Sequence, residues 1–220
     1  MASVGEFFAG LFAFLGPWGS LVALLLIFVV DAMLIPTLPE IWFVLTLSFA
    51  QPPTEPAAWR AFVLLMAVAG EAIGNSLLYA FVKKAFIQRG RMPKSLDAAM
   101  RKWTGFLLVH DERLILVNRV APVVPMVGAF IAALNWSYPK SLAYIVIGAA
   151  AKYGALLVLV AYIQVTYDPA AAASITFVLA LAVVATSAIL SLAWRRRTAH
   201  RAPDPSISGG RTRPPQSGGP

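Results

Sequence analysis

Six apolar stretches, at about 7–30, 32–50, 61–82, 114–134, 141–163 and 171–194, alternate with short polar runs along this chain. Each is close to the roughly 20 residues that an α-helix needs to cross a bilayer. The pattern predicts an all-α polytopic membrane protein. Two of the stretches are interrupted in the same way, by Pro36-Thr37-Leu38-Pro39 and by Pro122-Val123-Val124-Pro125. Prolines three apart remove two backbone donors and cannot sit in a straight helix. In hydrocarbon such a break persists only where protein or a water-filled cavity surrounds it.

Charge changes the count of spans. Eight of the eighteen Lys and Arg residues lie between Lys83 and Arg113, and six lie between Arg195 and Arg213. Cations that flank apolar segments mark the cytoplasmic side, so the C-terminal tail and the 83–113 connector are both expected inside. Segment 171–194 then runs inward and 141–163 runs outward. Segment 114–134 begins and ends on the same face, which makes it a re-entrant hairpin turning at Pro122 and Pro125. By the same logic 61–82 runs inward and loop 51–60 is outside. Residues 31–50 form a second hairpin turning at Pro36 and Pro39, and 7–30 is a span with a cytoplasmic N-terminus. The expectation is about four transmembrane helices plus two re-entrant hairpins inserted from opposite faces, an inverted repeat of the kind transporters use. Residues 1–198 form the membrane domain, with 83–113 as its basic cytoplasmic connector. Residues 199–220, rich in Pro, Gly, Ser and Arg, form a disordered cytoplasmic tail.

Composition supports that class. The 220 residues are 59% hydrophobic and 13% charged, with a mean hydropathy of +0.74. The net charge of +8 would suggest nucleic acid in a soluble protein, but here the cations follow the membrane boundaries, so no nucleic-acid partner is expected. There is no cysteine, which excludes disulfides, thiolate metal sites and cysteine nucleophiles. His110 and His200 stand apart from other ligand types, so neither a metal nor a cofactor is expected. No Lys or Arg precedes the first apolar run, and a secretory signal is not expected. No zincin spacing, nucleophile elbow or phosphate loop is present, and Asp31 has no second Asp at depth. An enzyme is therefore not expected.

Five ionisable residues fall inside apolar segments: Asp31, Glu40, Glu71, Arg119 and Lys152. Insertion scales put each such charge at about 2.5–3.5 kcal/mol, so each needs a partner or a wet cavity. The simplest pairing sets Arg119 against Asp31 or Glu40 and lets Glu71 face Lys152. These residues either brace the two repeats or bind a charged group and carry a proton. Gly70 and Gly74 form a small-xxx-small face that permits close helix approach. Glu71 and Asn75 are four apart and share a face. Met100, Trp103, Phe106 and Leu107, among Lys94, Arg101 and Lys102, give the connector an amphipathic pattern suited to an anionic lipid surface.

With these motifs in view, the chain resembles the DedA family, the bacterial and archaeal branch of the VTT-domain (SNARE-associated) membrane proteins. The resemblance rests on Asp31 followed by Pro36-Thr37-Leu38-Pro39-Glu40, on the Gly-rich helix from Gly70 to Tyr79, on Arg119-Val120-Ala121-Pro122, and on Gly148-Ala149-Ala150-Ala151. It covers roughly residues 25–165. The family's second hairpin Arg falls where this chain has Pro125. The resemblance implies translocation of an amphiphilic anionic lipid, a polyprenyl phosphate or a phospholipid, between leaflets, with coupling to protons. Arg119 would hold the head-group phosphate, Asp31 and Glu40 would position it and take up a proton, and Glu71 and Lys152 would line the cavity. The small multidrug export proteins are a second similar group, and a non-transporting membrane scaffold is a third reading. The expected partners are membrane lipids and protons in the plasma membrane, and a homo-oligomer is compatible with the pattern.

Overall fold

A computed structural model describes residues 4–33, 37–50, 52–90, 112–120 and 126–167, together with isolated positions between 175 and 189. Among these residues every regular element is helical and none is a strand. Helix α1 runs Val4–Met33, α2 Pro39–Phe49 and α3 Pro56–Val82, extended by a π-helical turn Lys83–Ile87. Then follow α4, Leu114–Val120, α5, Val127–Ala133, and α6, Tyr138–Thr166. Three helical runs, Glu6–Met33, Pro56–Ile87 and Tyr138–Thr166, are long and apolar enough to cross a membrane. The protein is membrane-embedded.

The order helix, break, short helix, long helix occurs twice, as α1–α2–α3 and as α4–α5–α6. Helix α2 has 11 residues, or about 16 Å at 1.5 Å per residue, against the roughly 30 Å of a hydrocarbon core. Helices α4 and α5 have 7 residues each. The apolar stretches 32–50 and 114–134 therefore do not hold single spanning helices. Helices α2 and α5 each start after a residue with positive φ: Leu38 at 54° before α2 and Met126 at 56° before α5. Neither residue is glycine, and bulky side chains rarely adopt that conformation.

The boundary expected at residue 30 lies further on. Helix α1 continues to Met33 and carries Asp31 in its last turn. A second interruption inside 7–30 went unread in the sequence. Gly16 has φ 65° and ψ 174°, just before Pro17, so α1 is two helical pieces joined at a kink. Pro17 has no N–H to give the Ala13 carbonyl one turn back, and the Gly16 carbonyl accepts from Ser20 Oγ at 2.7 Å. The kink lets Phe8 and Phe12 meet Phe49 at the end of α2, with ring centroids 6.0 and 6.5 Å apart. Pro36, Pro122 and Pro125, most of the expected fourth span 171–194, the connector residues 91–111 and the tail 199–220 lie outside the described residues.

The core sits where α1, α2, α3 and α6 converge. Tyr153, fully buried, packs edge-on to Phe28 at 4.9 Å and against Phe43 at 5.3 Å. On the α1–α3 seam a Cβ on Gly70 would lie 2.5 Å from Phe28 Cβ, and one on Gly74 2.5 Å from the Val29 carbonyl oxygen. Only glycine permits that approach, and in lipid such close packing replaces the hydrophobic effect as the main source of helix association.

Candidate functional site

Side-chain contacts fix the relative directions of the helices. Trp18 lies against Phe62, with centroids 6.2 Å apart, while Gly70 meets Leu25 and Phe28 and Gly74 meets Val29 and Ala32. Helices α1 and α3 are thus parallel. Helix α6 is antiparallel to α3: Arg60 Nη2 donates to Gln164 Oε1 at 3.4 Å, and Tyr138 Oη donates to Ser76 Oγ at 2.8 Å. The chain leaves α1 beside Gly74, about 20 Å along the helix axis short of Ile87. Glu71 stands at the middle of the run Pro56–Ile87, and Lys152 at the middle of Tyr138–Thr166. The first break and both charges therefore share one level, deep between the helix ends.

Asp31 organises the first break. Its Oδ1 accepts from the Thr37 backbone N–H at 2.8 Å, and Thr37 Oγ1 lies 3.3 Å from that same oxygen and 3.3 Å from the Ile27 carbonyl. A backbone donor freed by the break finds a carboxylate six residues back. Pro39 then supplies the first residue of α2, a position that needs no N–H. Glu40 follows in the first turn, where the helix dipole favours an anion. Its Oε1 is ion-paired with Lys152 Nζ from α6. The side chains are 26% and 16% exposed for Lys152 and Glu40, so the pair is largely but not wholly buried. Lys152 Nζ also sits 5.1 Å from the Tyr153 ring centroid. Asp31 is within coulombic reach of both Glu40 and Glu71.

Among the described residues, the second break is met by a neutral group. Asn75, buried on α3, donates from Nδ2 to the Glu71 carbonyl at 2.9 Å and to Glu71 Oε2 at 3.3 Å. Its Oδ1 accepts from the Gly128 backbone N–H at 3.1 Å, one of the amides at the start of α5 that no helical carbonyl satisfies. A Cβ on Gly128 would overlap the Asn75 backbone carbonyl. Met33, ending α1, and Met126, preceding α5, pack on the same cluster of Leu78, Val82, Ala129 and Ala132. At its base the second helical pair is closed by Ser137, whose N–H donates to Glu112 Oε1 at 3.0 Å.

Four of the five ionisable residues expected at depth are thus brought together: Asp31, Glu40, Glu71 and Lys152. The backbone of Arg119 lies in α4, and its side chain is outside the described residues. The expected pairing of Lys152 changes: its ion-pair partner is Glu40, because α6 runs alongside α2, with Gln164 Nε2 donating to the Leu47 carbonyl at 3.1 Å further along. Thr37 and Gly128 were not anticipated. A hydroxyl inside a double-proline break, six residues after an Asp, was the available sign for Thr37. Gly128 acts through its backbone, which no side-chain motif marks. Among the described residues no group of three His, Asp or Glu side chains could hold a metal ion. Comparison with known protein families, curated proteins and solved structures finds no match to this chain.

Proposed function

We propose that this chain is a membrane transporter that moves an amphiphilic anionic lipid between leaflets, using the mid-depth polar layer as its site. The observation that carries the reading is the convergence of Asp31, Glu40, Glu71 and Lys152 on two helix breaks far from the helix ends. Intramembrane ionisable groups at one depth beside broken helices are what an ion or substrate path requires.

In this reading α1–α2 and α4–α5 are hairpins entering from opposite faces, and segment 171–194 supplies a further span. Their directions support it: α2 ends beside the start of α3 and the end of α6, whereas Glu112 and Ser137 close the other pair at the start of α6. The exposed cations Lys83, Lys84 and Arg89 at the end of the α3 run support a cytoplasmic placement of that end in the plasma membrane. Since α1 runs parallel to α3, the N-terminus is then on the outer side and not on the cytoplasmic side expected from the sequence, while segment 171–194 returns the C-terminus to the cytoplasm. Arg119, on the arm of the second hairpin, and Lys152 are the cations for a head-group phosphate, the anion that Arg and Lys commonly bind. An arriving phosphate competes with Glu40 for Lys152 and so opens the ion pair. Asp31 and Glu71 are the groups available to carry a proton.

The test is reconstitution into proteoliposomes with a head-group-labelled anionic lipid and an impermeant quencher. Wild type is expected to expose inner-leaflet label to the quencher, and Arg119→Ala and Lys152→Gln to lose that activity while remaining folded. Wild-type rates in both variants would remove these residues from the site. A scaffold in which the charges only brace the two halves is the second reading, and the closed Glu40–Lys152 pair favours it.

A further inference from the structure

Helix α3 carries a polar stripe beyond the mid-depth layer. Glu71, Asn75, Tyr79 and Lys83 recur every four residues, with Ser76 beside them, so they follow one face toward the cytoplasmic end. Their exposure rises along it. Glu71 and Asn75 are buried, Ser76 and Tyr79 are half-buried, and Lys83 is exposed. Tyr138 of α6 covers the middle of the stripe: its ring stacks on Tyr79 with centroids 4.5 Å apart, and its hydroxyl donates to Ser76 Oγ at 2.8 Å. Lys83 Nζ donates to Tyr79 Oη at 2.8 Å and lies 5.1 Å from that ring's centroid. The next face of α3 is of the opposite kind, with Ile73, Leu77 and Phe81 all exposed.

A row of hydroxyls ending in a cation, beside a row of exposed aliphatic and aromatic side chains, matches the two parts of an anionic lipid. The hydroxyls and Lys83 replace water around a phosphate, while the apolar row keeps the chains in the bilayer. Packing alone does not require this layout, because Leu or Phe at 76 and 79 would satisfy a lipid-facing helix without polar atoms to pair. We infer that Ser76, Tyr79, Tyr138 and Lys83 form the path along which a lipid's anionic head group passes between the mid-depth layer and the cytoplasmic leaflet. The identity of the cargo rests on the function proposed above; the existence of a polar path does not.

Because the chain has no cysteine, single-Cys variants of the full chain at Ser76, Tyr79, Ile73, Leu77 and Phe81 test it directly. In sealed proteoliposomes they are treated with a charged methanethiosulfonate, which reacts with a hydrated thiolate and scarcely with a thiol in hydrocarbon. The positions at 76 and 79 are expected to react at least about tenfold faster than those at 73, 77 and 81, and their modification to block lipid translocation. Tyr79→Phe combined with Tyr138→Phe keeps the ring stack and removes both hydroxyls. It is expected to slow translocation by about threefold to tenfold, the worth of one hydrogen bond, with the protein still folded and its unfolding temperature only slightly lowered. Equal reactivity on both faces would overturn the path, as would modification at 76 and 79 that leaves translocation intact. Fast reaction at 76 and 79 in a protein that translocates no lipid would overturn the head-group assignment and the lipid reading together, leaving only a water-accessible stripe.

Discussion

The two helix breaks are built alike and secured differently. Each follows a double-proline segment and restarts on a residue of positive φ, and each is met by the long helix of the other half. Helix α6 meets the first break with Lys152 on Glu40, whereas α3 meets the second with the amide of Asn75 on the Gly128 N–H. Among the described residues, a neutral amide thus holds the second break where an ion pair holds the first, and that charge at depth is where a function is sought.

The largest expected effect separates the two. Lys152→Ala leaves Glu40 without its cation and should destabilise the protein by roughly 2–4 kcal/mol, somewhat below the 3–5 of a fully buried pair because these side chains keep some exposure. The double variant Glu40→Ala, Lys152→Ala should lose less than the sum of the two single changes, read by thermal unfolding in detergent. Strict additivity would mean that the two side chains do not interact.

Asn75→Leu tests the neutral side of the comparison. It leaves the Gly128 N–H unsatisfied and should cost about 1–3 kcal/mol. Under the proposed function it lowers stability with translocation per folded molecule little changed, because the amide holds the hairpin and does not touch cargo. A loss of translocation in fully folded protein would place Asn75 with the charged set.

How much of this was legible in the sequence depends on what each contact uses. The double prolines mark both interruptions because a missing N–H is written in the residue type. Gly70 and Gly74 mark the close seam with α1 for a similar reason. The five intramembrane charges stand out from their apolar surroundings. Partner choice does not, since the Glu40–Lys152 pair depends on how α2 and α6 slide against each other across 112 positions of chain. The positive φ at Leu38 and Met126 is hidden as well, because neither is the glycine that usually announces it. Gly16-Pro17 was visible as letters, but an isolated Gly-Pro is common in membrane helices and does not declare a kink.

Smaller effects refine the comparison. Asp31→Ala removes the acceptor of the Thr37 N–H and should cost about 0.5–1.5 kcal/mol, while Asp31→Asn, which keeps an acceptor oxygen, should cost less. Equal losses would assign the effect to charge and not to the hydrogen bond. The smallest concerns the base of the second pair. The Ser137 N–H bonded to Glu112 holds that carboxyl below its ordinary pKa. Its contribution is therefore complete above the unfolded-state value of about 4.3 and is lost as pH falls through the lower folded-state value. The difference in unfolding temperature between wild type and Glu112→Ala should shrink with acidification across that window. A difference that grows in acid would reverse the sign and remove the bond from the account.

Under the proposed function the Glu40–Lys152 pair serves translocation and not only bracing. Exchanging the two charges, as Glu40→Lys with Lys152→Glu, keeps an ion pair but moves the cation onto α2, at the positive end of that helix. Translocation of a labelled anionic lipid in proteoliposomes, measured beside unfolding temperature, is the most direct test. The exchange is expected to recover much of the stability lost in Lys152→Ala while translocation stays abolished. Recovery of translocation together with stability would contradict that role and leave the pair as a brace.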